Sequence, residues 1–264
     1  MSRVSQPRVA PMSDVDSEAP KHLVVPASPA VAVLPYVASH LLLVPALLAV
    51  AAWLLQHGPL DMALTRLFVD AQTQSFAWKH SAWLDIVGHQ AARGLPILVG
   101  GVTIAAGVAG AVVPALQPWR AVLLTLGGSM LVGPLLINLL KTMTSQHCPS
   151  DLLEFGGVVG YAADRSAPFW AATRESAGHC LPGGHAGGGY ALLGLYFAGW
   201  AAGRPAWRWR GLAIGIAAGV LFSIVRIAQG AQFASATLWS ASVDWTVCAL
   251  LFMPLLCRPA TDRQ

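Results

Sequence analysis

The stretch AVLLTLGGSMLVGPLLINLL, residues 121–140, contains no ionisable side chain, and Lys141 follows it directly. Crossing the hydrocarbon core of a bilayer takes roughly 20 mostly apolar residues in a helix, so this stretch reads as a membrane span with a cation at its end. Working outward, five further stretches fit the same description, at about residues 36–55, 95–113, 186–202, 212–225 and 238–256. The stretch 212–225 is short and rich in Gly and Ala. Six spans leave one membrane-embedded domain over residues 31–258, and the expected fold class is an all-α, polytopic six-helix bundle.

Composition points the same way. Of the 264 residues, 55% are hydrophobic and only 11% charged, with a mean hydropathy of +0.58, whereas ordinary soluble domains carry about 25% charged residues. Residues 1–30 hold Arg3, Arg8 and Lys21 against Asp14, Asp16 and Glu18, with several Pro and Ser and no apolar run. They read as a disordered cytoplasmic tail, and residues 259–264 as a second, short one. The pattern of a cleaved signal peptide is missing from the first thirty residues, so the first span is expected to stay in the membrane.

Six spans place both ends of the domain on one side. The loops expected there carry Arg120, Arg204, Arg208, Arg210, Arg258 and Arg263, which the positive-inside rule assigns to the cytoplasm. Residues 56–94, 141–185 and 226–237 then face outward, toward the periplasm if the membrane is a bacterial inner membrane. The net charge of +4 is explained by this topology and implies no nucleic-acid partner. In the first outward loop, Leu60, Leu64, Leu67 and Phe68 fall at helical spacing with Asp61, Arg66 and Asp70 between them, the pattern of an amphipathic helix on the membrane surface. Trp78 and Trp83 suit the interfacial belt.

Three short polar segments stand where spans end: 141–151, 180–189 and 226–236. The first begins with Lys141. The second, Leu181-Pro182-Gly183-Gly184-His185-Ala186-Gly187-Gly188-Gly189, runs into the fourth span. Its backbone amides at a helix start are suited to an anion, while glycines there also serve close helix packing. His185 adds an imidazole able to donate a proton near neutral pH. Arg226 closes the fifth span; an ionisable group at that depth is costly unless it serves a partner, although a snorkelling arginine is the plain alternative. Lysine, histidine and arginine at one membrane face make a candidate phosphate site. Cys148 and Cys180 share the outward loop and are candidates for a disulfide, with two free thiols as the alternative. His147, His179, Cys180 and His185 do not match paired-ligand spacings, so no metal site and no cofactor are expected.

These motifs resemble the type-2 phosphatidic acid phosphatases, relatives of the vanadium haloperoxidases. That family has a lysine followed after six residues by Arg-Pro, then Pro-Ser-Gly-His, then an arginine followed after five residues by His and after three more by Asp. Here Lys141 is followed after six residues by Cys148-Pro149; Pro182-Gly183-Gly184-His185 stands for the second motif; and Arg226 leads to Gln232 and then Ala236. Cys148-Pro149-Ser150-Asp151-Leu152 and Phe155-Gly156-Gly157 look like a bacterial subgroup with Cys-Pro in place of Arg-Pro. The resemblance implies that Lys141, Arg226 and the Gly183-Gly184 turn hold phosphate and that His185 is the general acid. Position 232 would be the nucleophile. A carboxamide has no basic lone pair with which to take up a phosphoryl group, Ala236 cannot orient one, and Gly183 lacks the serine hydroxyl.

Three functional readings remain from the residues. One is hydrolysis of a lipid-linked phosphate or pyrophosphate at the outer face. The second is a catalytically silent pseudo-enzyme that binds such a lipid. The third, a lipid transporter or flippase, rests on Asp244 inside the last span, for which a hydrogen bond to a neighbouring span is the plainer account. Membrane lipids are partners in all three.

Overall fold

The computed structural model describes residues 31–166 and 178–257; the two predicted tails lie outside the described residues. Eight helices carry the fold: α1 (Val33–His57), α2 (Leu60–Arg66), α3 (Ala82–Ala109), α4 (Gln117–Thr142), α5 (Gly184–Tyr190), α6 (Gly194–Ala201), α7 (Pro205–Ala228) and α8 (Ala234–Leu256). Among the described residues there is no strand, only two isolated bridges, Val69 with Phe76 and Leu152 with Val159. Five helices, α1, α3, α4, α7 and α8, are long and apolar enough to cross a membrane.

The expected fourth span at 186–202 takes a different form. It is α5 and α6 joined by a tighter helical turn, Ala191–Leu193, and every residue from Ala186 to Gly194 is buried, with Phe197 of α6 at 0% exposure. The glycine run explains its central place. A Cβ on Gly187 would stand 2.4 Å from Ile137 of α4, on Gly188 2.1 Å from the Ala92 carbonyl of α3, and on Gly189 2.7 Å from Gly219 of α7. Three successive positions thus let three helices approach the α5 backbone, the close packing that small residues permit in membranes.

The lower half of the bundle is aromatic. Tyr36, Tyr196, Phe197, Trp245 and Phe252 pack together, and their polar atoms are satisfied across helices: the Tyr36 hydroxyl donates to the Ala249 carbonyl at 2.7 Å and the Trp245 indole N–H to the His40 carbonyl at 2.9 Å. The Arg208 guanidinium lies over Trp200, 3.8 Å from the ring centre, within cation–π range.

Several predicted boundaries move. The second span begins at Ala82 rather than near residue 95, so Asp85, His89 and Arg93 belong to the helix and not to a loop. The fifth runs for 24 residues from Pro205, since the segment bearing Arg208 and Arg210 continues as helix toward the interface. The expected helix forms as α2; Leu60, Leu64 and the following Leu67 are exposed, whereas Phe68 packs inward on the cluster of Met62, Phe76 and Phe155. The other face of α2 is docked: Asp61, 2% exposed, accepts from the Ser235 N–H at 2.9 Å and so caps α8. Asp244 departs from its plainer account, because neither carboxylate oxygen has a hydrogen-bond partner among the described residues. The carboxyl group fits beneath Gly133, whose missing Cβ would lie 2.2 Å from Oδ1.

Candidate functional site

The three polar segments meet at one end of the bundle, and backbone bonds hold them there. Where α4 ends, the Thr144 hydroxyl donates to the Leu181 carbonyl at 2.5 Å. Just beyond, Gly178 N–H donates to Ser145 O and Cys180 N–H to Gln146 O, both at 2.9 Å. A disulfide joins Cys148 to Cys180, with Cα atoms 5.1 Å apart, fixing the first segment beside the second. Ser150 N–H donates to Gly230 O at 2.9 Å, which ties the first to the third. Gly183 N–H donates to Ala236 O at 3.2 Å, and the Ser240 hydroxyl donates to Gly183 O at 2.9 Å, tying the second to the third.

Local sequence sets each side chain. Lys141 occupies the last turn of α4. Arg226 occupies the last turn of α7, which stops because Gly230 adopts φ of +70°, a left-handed residue that most side chains would strain. His185 is the second residue of α5.

A cavity of about 430 Å³ opens among α3, α4 and α5. Its polar wall is formed by Lys141, Asn138, His185, His89 and Arg93, and its apolar wall by Pro96, Ile97, Met130, Leu131 and Leu135. Ile97, Leu131 and Leu135 are 56%, 47% and 70% exposed, so the apolar wall continues onto the lipid-facing flank of the bundle. His185 Nε2 stands 2.7 Å from His89 Nδ1. One of these nitrogens donates and the other accepts, so the two rings share a proton-bearing contact. Arg226 and Lys141 both act electrostatically on His185.

Not every predicted residue reaches the cavity. Gly184 lines it, whereas Gly183 does not and has its N–H engaged by Ala236. Arg226 is not among the lining residues and donates to Gln229 Oε1 at 2.9 Å. Gln232 is 2% exposed and its amide donates to the Thr237 hydroxyl at 3.3 Å. Its carboxamide fills the space beside Gly183, where an added Cβ would lie 2.5 Å from Gln232 Oε1. Ala236 is fully buried. Of the histidines and cysteine considered as metal ligands, His147 pairs with Asp164 at 2.8 Å, His179 contacts the Lys141 carbonyl, and Cys180 is in the disulfide.

Sequence reasoning missed His89 and Arg93. Both precede the point where the apolar run becomes continuous, and the available signal was the four-residue spacing of Asp85, His89 and Arg93, which marks one helix face. A π-helical stretch, Ile86–Ala91, carries His89; such stretches occur often at functional sites.

The outcome is a cavity with an amphiphilic wall, two fixed cations and two imidazoles, suited chemically to holding an anionic group attached to an apolar tail. Neither a curated protein nor a solved structure matches the chain. A family model does: that of the PAP2 superfamily, over residues 122–255, just over half of the chain and inclusive of Lys141, His185, Arg226 and Gln232. The helical membrane bundle and the motif-bearing segment together make this chain a phosphatase-type membrane protein belonging to the PAP2 superfamily.

Proposed function

We propose that the protein acts on a lipid-linked phosphate or pyrophosphate, hydrolysing it at the outer face of the membrane. The observation that carries this reading is the composite cavity: Lys141, Arg93, His89 and His185 on one wall for the phosphate, and Ile97, Leu131 and Leu135 on the other, continuous with the lipid-exposed flank. A soluble phosphoester would gain nothing from the second wall. His185 supplies a proton to the leaving oxygen and Lys141 holds phosphate oxygens, with Arg226 adding positive potential. The outward placing is supported by charge. Arg120, Arg204, Arg208 and Arg210 gather without nearby acids at the end remote from the cavity, whereas the cavity end mixes Arg66, Lys79, Arg93, Lys141 and Arg226 with Asp61, Asp70, Asp85, Asp151, Glu154 and Asp164. This arrangement fits a bacterial inner membrane with the cavity toward the periplasm.

The test is phosphate release from lipid mono- and diphosphates by the purified full chain in detergent. Turnover is expected, and His185→Ala is expected to lower it by about 10²–10⁴-fold, the range for a general acid. Release that His185→Ala leaves intact would refute the assignment. A second reading, binding of the lipid phosphate without turnover, draws on Gln232, a residue at the expected nucleophile position that is buried and hydrogen-bonded to Thr237. Saturable binding of a lipid phosphate with no release would select it.

A further inference from the structure

Two groups in the cavity fall outside every motif position: His89 and Arg93. They lie four residues apart on α3, so their side chains share a helix face, and both reach the cavity that Lys141 and His185 enter from α4 and α5. Among the described residues no carboxylate lines this cavity, and none stands at ion-pair distance from Arg93. Two cations without counter-charge beside two imidazoles call for an anion. Cys148, which stands where the motif has the arginine of Arg-Pro, is uncharged and in a disulfide, and Gln232, at the expected nucleophile position, is buried and non-basic.

We propose that α3 supplies both missing groups, Arg93 as a ligand of the phosphate oxygens and His89 as the nucleophile. The proposal rests on the phosphatase reading above. The contact of 2.7 Å between His89 Nδ1 and His185 Nε2 defines the chemistry. With the proton on His89 Nδ1 and directed at His185 Nε2, the lone pair of His89 Nε2 is free. That nitrogen attacks phosphorus, an N–P bond forms, and the P–O bond to the lipid breaks with its electron pair leaving on oxygen. The Nδ1 proton of His89 passes to His185 Nε2 while the Nδ1 proton of His185, on the far side of that ring, reaches the leaving oxygen through water in the cavity. In the second half, water attacks phosphorus and the N–P bond returns its pair to His89 Nε2. One water proton returns to His185 Nδ1 through water in the cavity, and the Nε2 proton of His185 returns to His89 Nδ1. Inorganic phosphate leaves and both rings regain their starting tautomers. Lys141 and Arg93 hold the non-bridging oxygens throughout.

The test uses the full chain in detergent with phosphatidic acid carrying a radioactive phosphate, quenched in alkali, where a phosphohistidine survives, and then mapped by peptide. The expected result is label on the peptide containing His89. His89→Gln should lower kcat on the order of 10³-fold, since loss of a nucleophile leaves only positioning and electrostatics. Arg93→Gln should raise KM at least tenfold, with partial recovery in Arg93→Lys. Label on His185 or elsewhere, turnover with no trapped label, or a kcat within threefold of the unmodified chain in a folded His89→Gln variant would each overturn the proposal. The label mapping on the unmodified chain decides the matter even if His89→Gln fails to fold. A chain that binds inorganic phosphate through Lys141 but releases none from lipid refutes the role of His89 and leaves the binding reading standing. Failure of both binding and release refutes the two together.

Discussion

Replacing Gly183 with Ser restores the residue that the second motif of the related phosphatases carries, and the geometry predicts that the restoration is harmful. The new Cβ would lie 2.5 Å from Gln232 Oε1 and 3.2 Å from its Cδ. The backbone cannot retreat easily, because Gly183 N–H is bonded to Ala236 O and Gly183 O receives the Ser240 hydroxyl. The carboxamide must therefore move. Gln232 is almost fully buried and donates to Thr237, so moving it forfeits a buried hydrogen bond, about 1 kcal/mol, and adds the strain of overpacking, typically about 1–3 kcal/mol. Because the clashing atoms are at the end of a flexible side chain, the lower end of that range applies, about 2 kcal/mol in total.

The decisive measurement is a double-mutant cycle on thermal or denaturant unfolding in detergent micelles, with Gly183→Ser, Gln232→Ala and both together. Gln232→Ala removes the obstructing carboxamide, so the serine should cost almost nothing in that background. The coupling energy should favour the double variant by about 2 kcal/mol, well above the roughly 0.3–0.5 kcal/mol scatter of independent sites. Roughly 2–4 °C per kcal/mol is expected for a chain of this size, so the rescue is visible in Tm alone. Additive effects, or a Gly183→Ser variant as stable as the parent, would refute the claim that Gly183 and Gln232 are sterically matched.

Other predictions follow from the same contacts. Reducing the Cys148–Cys180 disulfide, or replacing both with Ser, should destabilise the chain by about 3–4 kcal/mol in the loop-entropy model, given a sequence separation of 32, read as a lower Tm with dithiothreitol than without. Asp61→Ala should cost about 1–2 kcal/mol, because it uncaps α8 and leaves the buried Ser235 N–H without its acceptor; Asp61→Asn should recover part of the loss in the same melts. The backbone N–H of Thr73, the N–H of Gln72 and the Thr73 hydroxyl all donate to Asp70 and hold its carboxyl below the usual carboxylate value. A lowered folded value means that the turn gains from Asp70 above the unfolded value near 4 and loses that gain as pH falls through the folded value. The protection factors of the Gln72 and Thr73 amides should therefore fall as pH drops below about 4, and should be low at all pH values in Asp70→Ala.

Much of the fold was legible because its signals are additive. A span such as 121–140 is apolar all along its length, and hydropathy finds it without any knowledge of neighbours. The second span shows where this fails. Residues 82–94 include Asp85, His89 and Arg93, which lower the average enough to look like a loop, although one face of the same stretch carries Trp83 and Ile86, 71% and 44% exposed to the bilayer side. An average over a window discards the side on which polar groups lie, and here His89 and Arg93 line the cavity. The fourth span was ambiguous for another reason: glycine signals close approach without saying what approaches. In the bundle, Gly187, Gly188 and Gly189 each admit a different helix, while Gly184 faces the cavity.

The site itself was legible only as far as motif spacing reaches. Lys141, His185 and Arg226 could be aligned along the chain because each sits at a span end and the spacing between paired positions is fixed. His89 and Arg93 have no such alignment; His89 meets His185 across 96 positions of sequence, through the packing of Gly188 against Ala92 that brings α3 onto α5. A change at a motif position and a new group on another helix are independent events in sequence but a single arrangement in space. Gln232 filling the room beside Gly183, with His89 set against His185, is one such arrangement. On the proposal made above, the chain's chemistry is tied less to the third motif, where Gln232 is buried, than to the helix that carries His89 and Arg93 to the cavity of the second.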